Sequence, residues 1–152
     1  MSKKHFFLQR LSNFLIIYML KYGCDFRKEW FKMFKNMKNS LLVSLSGELD
    51  QYAAADLKSK IDIEIQIAQK KNLIIDLSRV SLMDSSGIGL IVGRYKIIHS
   101  LGGKLAICGA NEYVEKMIAL SGIKKIIPSY KNAEEADRKI YELYKNERNE
   151  NK

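Results

Sequence analysis

The chain has 152 residues, 47% of them apolar and 28% charged, with nine glycines and one proline. That is enough for one hydrophobic core, and it excludes a low-complexity or disordered class. The net charge of +9 is lopsided, because residues 1–38 hold nine Lys/Arg against two acids while residues 39–152 hold seventeen against fifteen. A nearly neutral body excludes a basic groove that tracks phosphates, so no direct nucleic-acid binding is expected.

Residues 1–36 read as a basic and apolar extension, distinct from a domain over 37–146 and a polar tail over 147–152. The apolar run Phe14–Leu20 is seven residues long and ends at Lys21, whereas a bilayer span needs about 20. The small-residue cleavage pattern of a signal peptide is missing. A basic amphipathic helix lying on a membrane is one reading, with Phe6, Phe7, Leu11, Phe14 and Leu15 near helical spacing. The preferred reading is an extension outside the domain, with Met33 or Met37 as the natural start, and membrane association is not expected. Cys24 and Cys108 form neither a metal spacing nor a disulfide framework, which points to a reducing, cytoplasmic compartment. Cys108, in KLAICG, reads as a buried core thiol.

From there the elements follow in order. LLVSLS (41–46) is a strand that stops at a turn in GELD, with WFKMFKNM (30–37) as its hairpin partner across 38–40. Residues 52–69 place Leu57, Ile61, Ile65 and Ala68 at helical steps, and their length favours helix over strand. NLIIDLS (72–78) is a buried strand and 86–101 a helix closed by Gly102 and Gly103. KLAICG (104–109) is a strand, 111–122 a helix ended by Gly122, and KKIIP (124–128) a short edge strand stopped by Pro128. Asn132 caps a last helix to residue 148, with Ala136, Ile140, Leu143 and Tyr144 on one face. Strands alternating with helices predict a single α/β domain with a mostly parallel sheet.

The segment VSLMDSSGIGLIVGRYK (80–96) carries three glycines in or beside a helix. At 100° per residue, Ile88, Ile91, Val92, Tyr95 and Ile98 fall on one side, which is expected to face the sheet. The other side carries Ser86, Gly89, Leu90, Gly93, Lys96 and Ile97. Each interior glycine costs about 1 kcal/mol relative to alanine, so a flat strip with Leu90 and Ile97 partly exposed needs a reason. Either another protein's backbone docks there or a loop of this domain does. Asp84 or Ser85 caps the helix, and its free N–H groups welcome an anion. A phosphoryl group on a serine here would add nearly two negative charges to an apolar strip and penalise docking. An enzyme using Asp84 and Ser85 as base and nucleophile finds no support, since His5 lies in the extension and His99 falls on the sheet side.

GELD at 47–50, LMDSSGIGLIVGRYK at 82–96, LGGKLAICG at 101–109 and LSGIKKII at 120–127 resemble the STAS-domain anti-sigma factor antagonists, and GRYK with GELD resemble their sporulation branch, which acts on sigma F. The resemblance spans about residues 39–140. It implies a small mixed, mostly parallel sheet with helices packed on it, no catalytic machinery and no cofactor. It implies two partners: an anti-sigma factor that is also a serine kinase, bound in the unphosphorylated state so that the sigma factor is freed, and a PP2C-type phosphatase. On these motifs Ser85 is the phosphorylated serine, while Asp84, Ser86, Gly87, Gly89, Leu90, Gly93 and Arg94 map to the contact surface, with Asp50 near the phosphosite. The neighbouring alternatives are a general-stress antagonist of another sigma factor and a membrane-associated STAS regulator.

Overall fold

The computed structural model describes residues 16, 20, 21, 28, 29 and 32–152. The chain divides into two units, residues 1–33 and 34–152. Ile16, Leu20, Lys21, Lys28 and Glu29 are helical and exposed, and the remaining expectations placed on the extension, with Cys24, lie outside the described residues.

The second unit is a five-stranded sheet in the order β1-β2-β3-β4-β5. β1 (Phe34–Asn36) and β2 (Leu41–Leu49) pair antiparallel through the expected hairpin, with Met37 N donating to Ser40 O at 2.9 Å. β3 (Leu73–Met83), β4 (Leu105–Cys108) and β5 (Ser129–Tyr130) add in parallel. Four helices connect and cover them: α1 (Gln51–Ala68), α2 (Ser85–Ser100), α3 (Glu112–Ser121) and α4 (Ala133–Glu150). The central strands bury both faces, which is why their sequences run apolar without alternating. One face carries Leu42, Ile74, Ala106 and Cys108 against Ala133, Ala136 and Ile140 of α4. Alternation sends Leu41, Val43, Leu73, Ile75 and Ile107 to the other face, beneath α1 and α2.

Three boundaries differ from expectation. β2 does not turn at Gly47 but continues to Leu49, because Gly47 takes φ +80° at a register shift against β3. β3 runs on to Met83 as the partner of that extension. KKIIP is not the edge strand: Gly122 at φ +78° leads into a 3₁₀ turn over Ile123–Lys125. Ile123 and Ile127, four apart, are both buried there, a turn's spacing and not a strand's. Pairing starts past the proline, whose carbonyl accepts from Ile107 N at 3.0 Å, and β5 is Ser129–Tyr130. The end of α2 is as expected and takes the Schellman form, with Gly102 N bonded to His99 O and Gly103 N to Ile98 O.

A largely buried polar network closes the N-terminal ends of β2, β3 and β4, at the opposite end of the sheet from Leu49 and Met83. Asn72 donates to Asn39 O at 2.9 Å, and its Oδ1 accepts from Lys104 N at 3.0 Å. The Asp137 carboxylate accepts from Asn39 N and from its side-chain amide. These groups satisfy one another out of water. Nothing in their spacing along the chain announces the network, because its members lie 32 to 98 residues apart.

Candidate functional site

The last pair of the β2–β3 ladder is Leu49 with Met83, and Asp84 N donates to Leu49 O at 3.3 Å. The next residue on each strand is therefore an aspartate, and each caps a helix: Asp50 Oδ1 accepts from Ala53 N at 2.9 Å, and Asp84 Oδ1 accepts from Ser86 N at 2.7 Å. Parallel register alone sets the two helix entrances side by side. Each cap is worth about 1 kcal/mol, and Asp84, not Ser85, is the cap of α2. Asp50, Asp84 and Ser85 are exposed. Ser85, the first residue of α2, keeps its hydroxyl free of hydrogen bonds among the described residues. Asp50 and Asp84 share a shallow pocket of about 220 Å³ with Glu48, Leu82, Met83 and Tyr113.

The buried face of α2 is Gly87, Leu90, Ile91, Arg94 and Ile98. That stripe is rotated roughly 80° from the expected one, at 100° per residue. The cause is α1, which packs alongside α2 and covers its flank. Three of the residues expected at the contact surface are thereby buried. Leu90 is 5% exposed and not part of an open strip, and Arg94, at 4%, pairs through Nε with Asp62 Oδ1 of α1 at 2.8 Å. Burial raises the Asp62 carboxyl above its ordinary pKa against the pull of Arg94 and Lys58, and lowers that of Arg94 against the pull of Asp62. Gly87 is buried too: a Cβ there would lie 2.4 Å from Met83 Cγ and 3.1 Å from Leu49 Cβ. Ile88, Val92 and Tyr95 move to half-burial, and His99 is exposed and not sheet-facing, its ring stacked on Tyr95 at 5.6 Å.

What remains open is a groove of about 250 Å³ between the helices, with Ala54, Ala55 and Lys58 on one wall and Ser86, Gly89 and Gly93 on the other. Leu90 and Arg94 form its floor. A Cβ added at Gly89 or Gly93 would meet nothing within 4 Å. Among the described residues, no loop uses the space those glycines leave.

Residues 32–136 match the family model for the STAS domain. The chain belongs to the STAS domain family. Among curated STAS relatives, the anti-sigma F factor antagonist of Paenibacillus polymyxa is 41% identical over 92 residues, which is 60% of this chain and 79% of that protein. The anti-sigma-B factor antagonist of Bacillus subtilis (strain 168) is 34% identical over 94 residues, 61% of this chain and 84% of that protein. The solved structure of the anti-sigma factor antagonist SpoIIAA in its unphosphorylated form superposes with a TM-score of 0.58 at 28% identity, covering 69% of this chain and 92% of SpoIIAA. The STAS sheet and helices of this chain are thus those of a SpoIIAA-like α/β domain. Among the described residues, no helix is long and apolar enough to cross a membrane.

Proposed function

We propose that this chain is an anti-sigma factor antagonist without enzymatic activity, switched by phosphorylation of Ser85. Unmodified, it binds an anti-sigma factor that is also a serine kinase and so releases a sigma factor of the sporulation F type. ATP-dependent phosphorylation ends the contact, and a PP2C-type phosphatase restores it. The observation that carries the reading is the setting of Ser85: an exposed, unbonded hydroxyl at the entrance of α2, where the open groove begins, in a chain of the STAS family.

The contact surface is Asp50, Asp84, Ser85, Ser86, Gly89 and Gly93. Gly87, Leu90 and Arg94 shape it from beneath. A phosphoryl group carries about −1.5 to −2 charges at neutral pH. Added beside Asp50 and Asp84, with no basic side chain of this chain in the pocket they line, it must be desolvated for the partner to dock, at a cost of several kcal/mol, or two or more decades of affinity.

The test is to incubate the chain with the anti-sigma F factor of Paenibacillus polymyxa and ATP, then locate the phosphate by mass spectrometry. One phosphate on Ser85, none on Ser85→Ala, and about hundredfold weaker binding of Ser85→Asp are expected. A phosphate elsewhere, or unchanged binding by Ser85→Asp, would overturn the mechanism. The likeness to the anti-sigma-B factor antagonist supports a second reading, in which the sigma factor freed is a general-stress one. Titration against both anti-sigma factors separates the two, and the F type is expected to bind tighter.

A further inference from the structure

With Leu90 withdrawn into the groove floor, α2 presents glycines but no large apolar knob beside Ser85. Such knobs stand on its neighbours. Leu82, near the end of β3, is 44% exposed, and Tyr113, in the first turn of α3, is 52% exposed. Both line the pocket that holds Asp50 and Asp84. The pocket's charged lining is Glu48, Asp50 and Asp84, with no basic side chain. None of the three carboxylates joins an ion pair among the described residues.

We infer that Leu82 and Tyr113 are the apolar anchor of the partner contact, and that the partner seats there a basic side chain flanked by apolar ones. This rests on the function proposed above. A protein that reaches the Ser85 hydroxyl covers about 800 Å² of this surface, so it covers the pocket immediately beside the phosphosite as well. A half-exposed Tyr at the centre of such a patch is the kind of side chain that becomes energetically dominant once water is excluded, and Leu82 beside it adds apolar area to bury. Three carboxylates without an ion pair, two of them satisfied only in part by a helix N–H, favour a cation from the occupant. They also argue against the alternative occupants: a second copy of this chain would oppose like charges, and a nucleic acid or an anionic membrane would be repelled.

The experiment is calorimetric titration with the Paenibacillus polymyxa anti-sigma F factor as probe. Leu82→Ala and Tyr113→Ala are each expected to weaken binding about tenfold or more, and the double variant further. Leu120→Ala, on the same helix and 85% exposed, serves as control and leaves affinity unchanged. Binding weakens as salt rises, as screening of a cation–carboxylate contact requires. Circular dichroism melts of the variants check that the fold is kept, which exposed positions allow. If Leu82→Ala/Tyr113→Ala binds within about twofold of the parent while Ser85→Asp does not bind, the anchor assignment is wrong and the switch stands. If the parent chain fails to bind, or Ser85→Asp binds equally well, the switch itself is wrong and the anchor goes with it.

Discussion

Gly87 and Gly89 are two residues apart and have opposite reasons to be glycine. A Cβ at position 87 would sit 2.4 Å from Met83 Cγ, so Gly87→Ala is expected to destabilise by about 1–3 kcal/mol, the range for an overpacked core. Position 89 faces open space. Gly89→Ala is expected to stabilise by up to about 1 kcal/mol through helix propensity, and denaturant melts of the two variants should move in opposite directions. If Gly89 is instead needed for a partner's approach, Gly89→Leu will weaken binding without loss of stability. Cys108 offers a pH test. Burial, helped by Asp76 and Glu134, pushes its thiol up from 9.0 to about 12, so the unfolded chain loses this proton first. Stability from the protonated thiol is therefore complete below about pH 9 and falls by about 1.4 kcal/mol per unit up to about pH 12. Cys108→Ala lacks that component, so the difference between the two chains in urea-melt stability at pH 10 should be about 1.4 kcal/mol smaller than at pH 8.

At the scale of elements, the helix after Asp84 was legible as an element but not in its rotation. Apolar residues surround nearly the whole of α2, so the pattern defines no sharp stripe, and the residue that decides the phase is charged. Arg94 turns inward because Asp62, 32 positions earlier and on another helix, meets it at 2.8 Å, and no local rule in a sequence reports such a pairing. Asp62→Ala leaves a guanidinium under cover without its partner and is expected to cost about 2–3 kcal/mol in thermal or denaturant melts. Replacing both, Asp62→Leu with Arg94→Met, is expected to recover most of that loss, since an apolar pair of similar volume suits the same space. The edge strand was misplaced for a related reason. KKIIP has a strand's composition, but the left-handed Gly122 before it commits the chain to a turn. Helix ends were read well, because capping depends on residues in immediate succession: Asn132 accepts from Glu135 N at 2.9 Å, as its position implied.

For the whole molecule, the parallel order of β2, β3, β4 and β5 follows from strands that alternate with helices, and that part was open to reading from periodicity alone. The network of Asn39, Asn72 and Asp137 at the N-terminal ends of the strands was not, since each contact joins distant positions. The excess of positive charge lies before residue 39, and the chain divides after Met33. Removing residues 1–31 is expected to leave both the melting temperature and the affinity for the anti-sigma factor unchanged. A drop in either, by differential scanning fluorimetry or titration, would give the extension a structural or binding role.

The paired aspartate caps have a bearing on how the signal is carried. One backbone donor at each mouth of α1 and α2, Ala53 N and Ser86 N, is already held by Asp50 and Asp84, so a phosphoryl group on Ser85 would meet carboxylates beside the amides of the helix entrance. Under the proposed switch the two chemical forms are therefore expected to differ in whom they repel and not in how they fold, and melting temperatures within about a degree of each other before and after phosphorylation would check it.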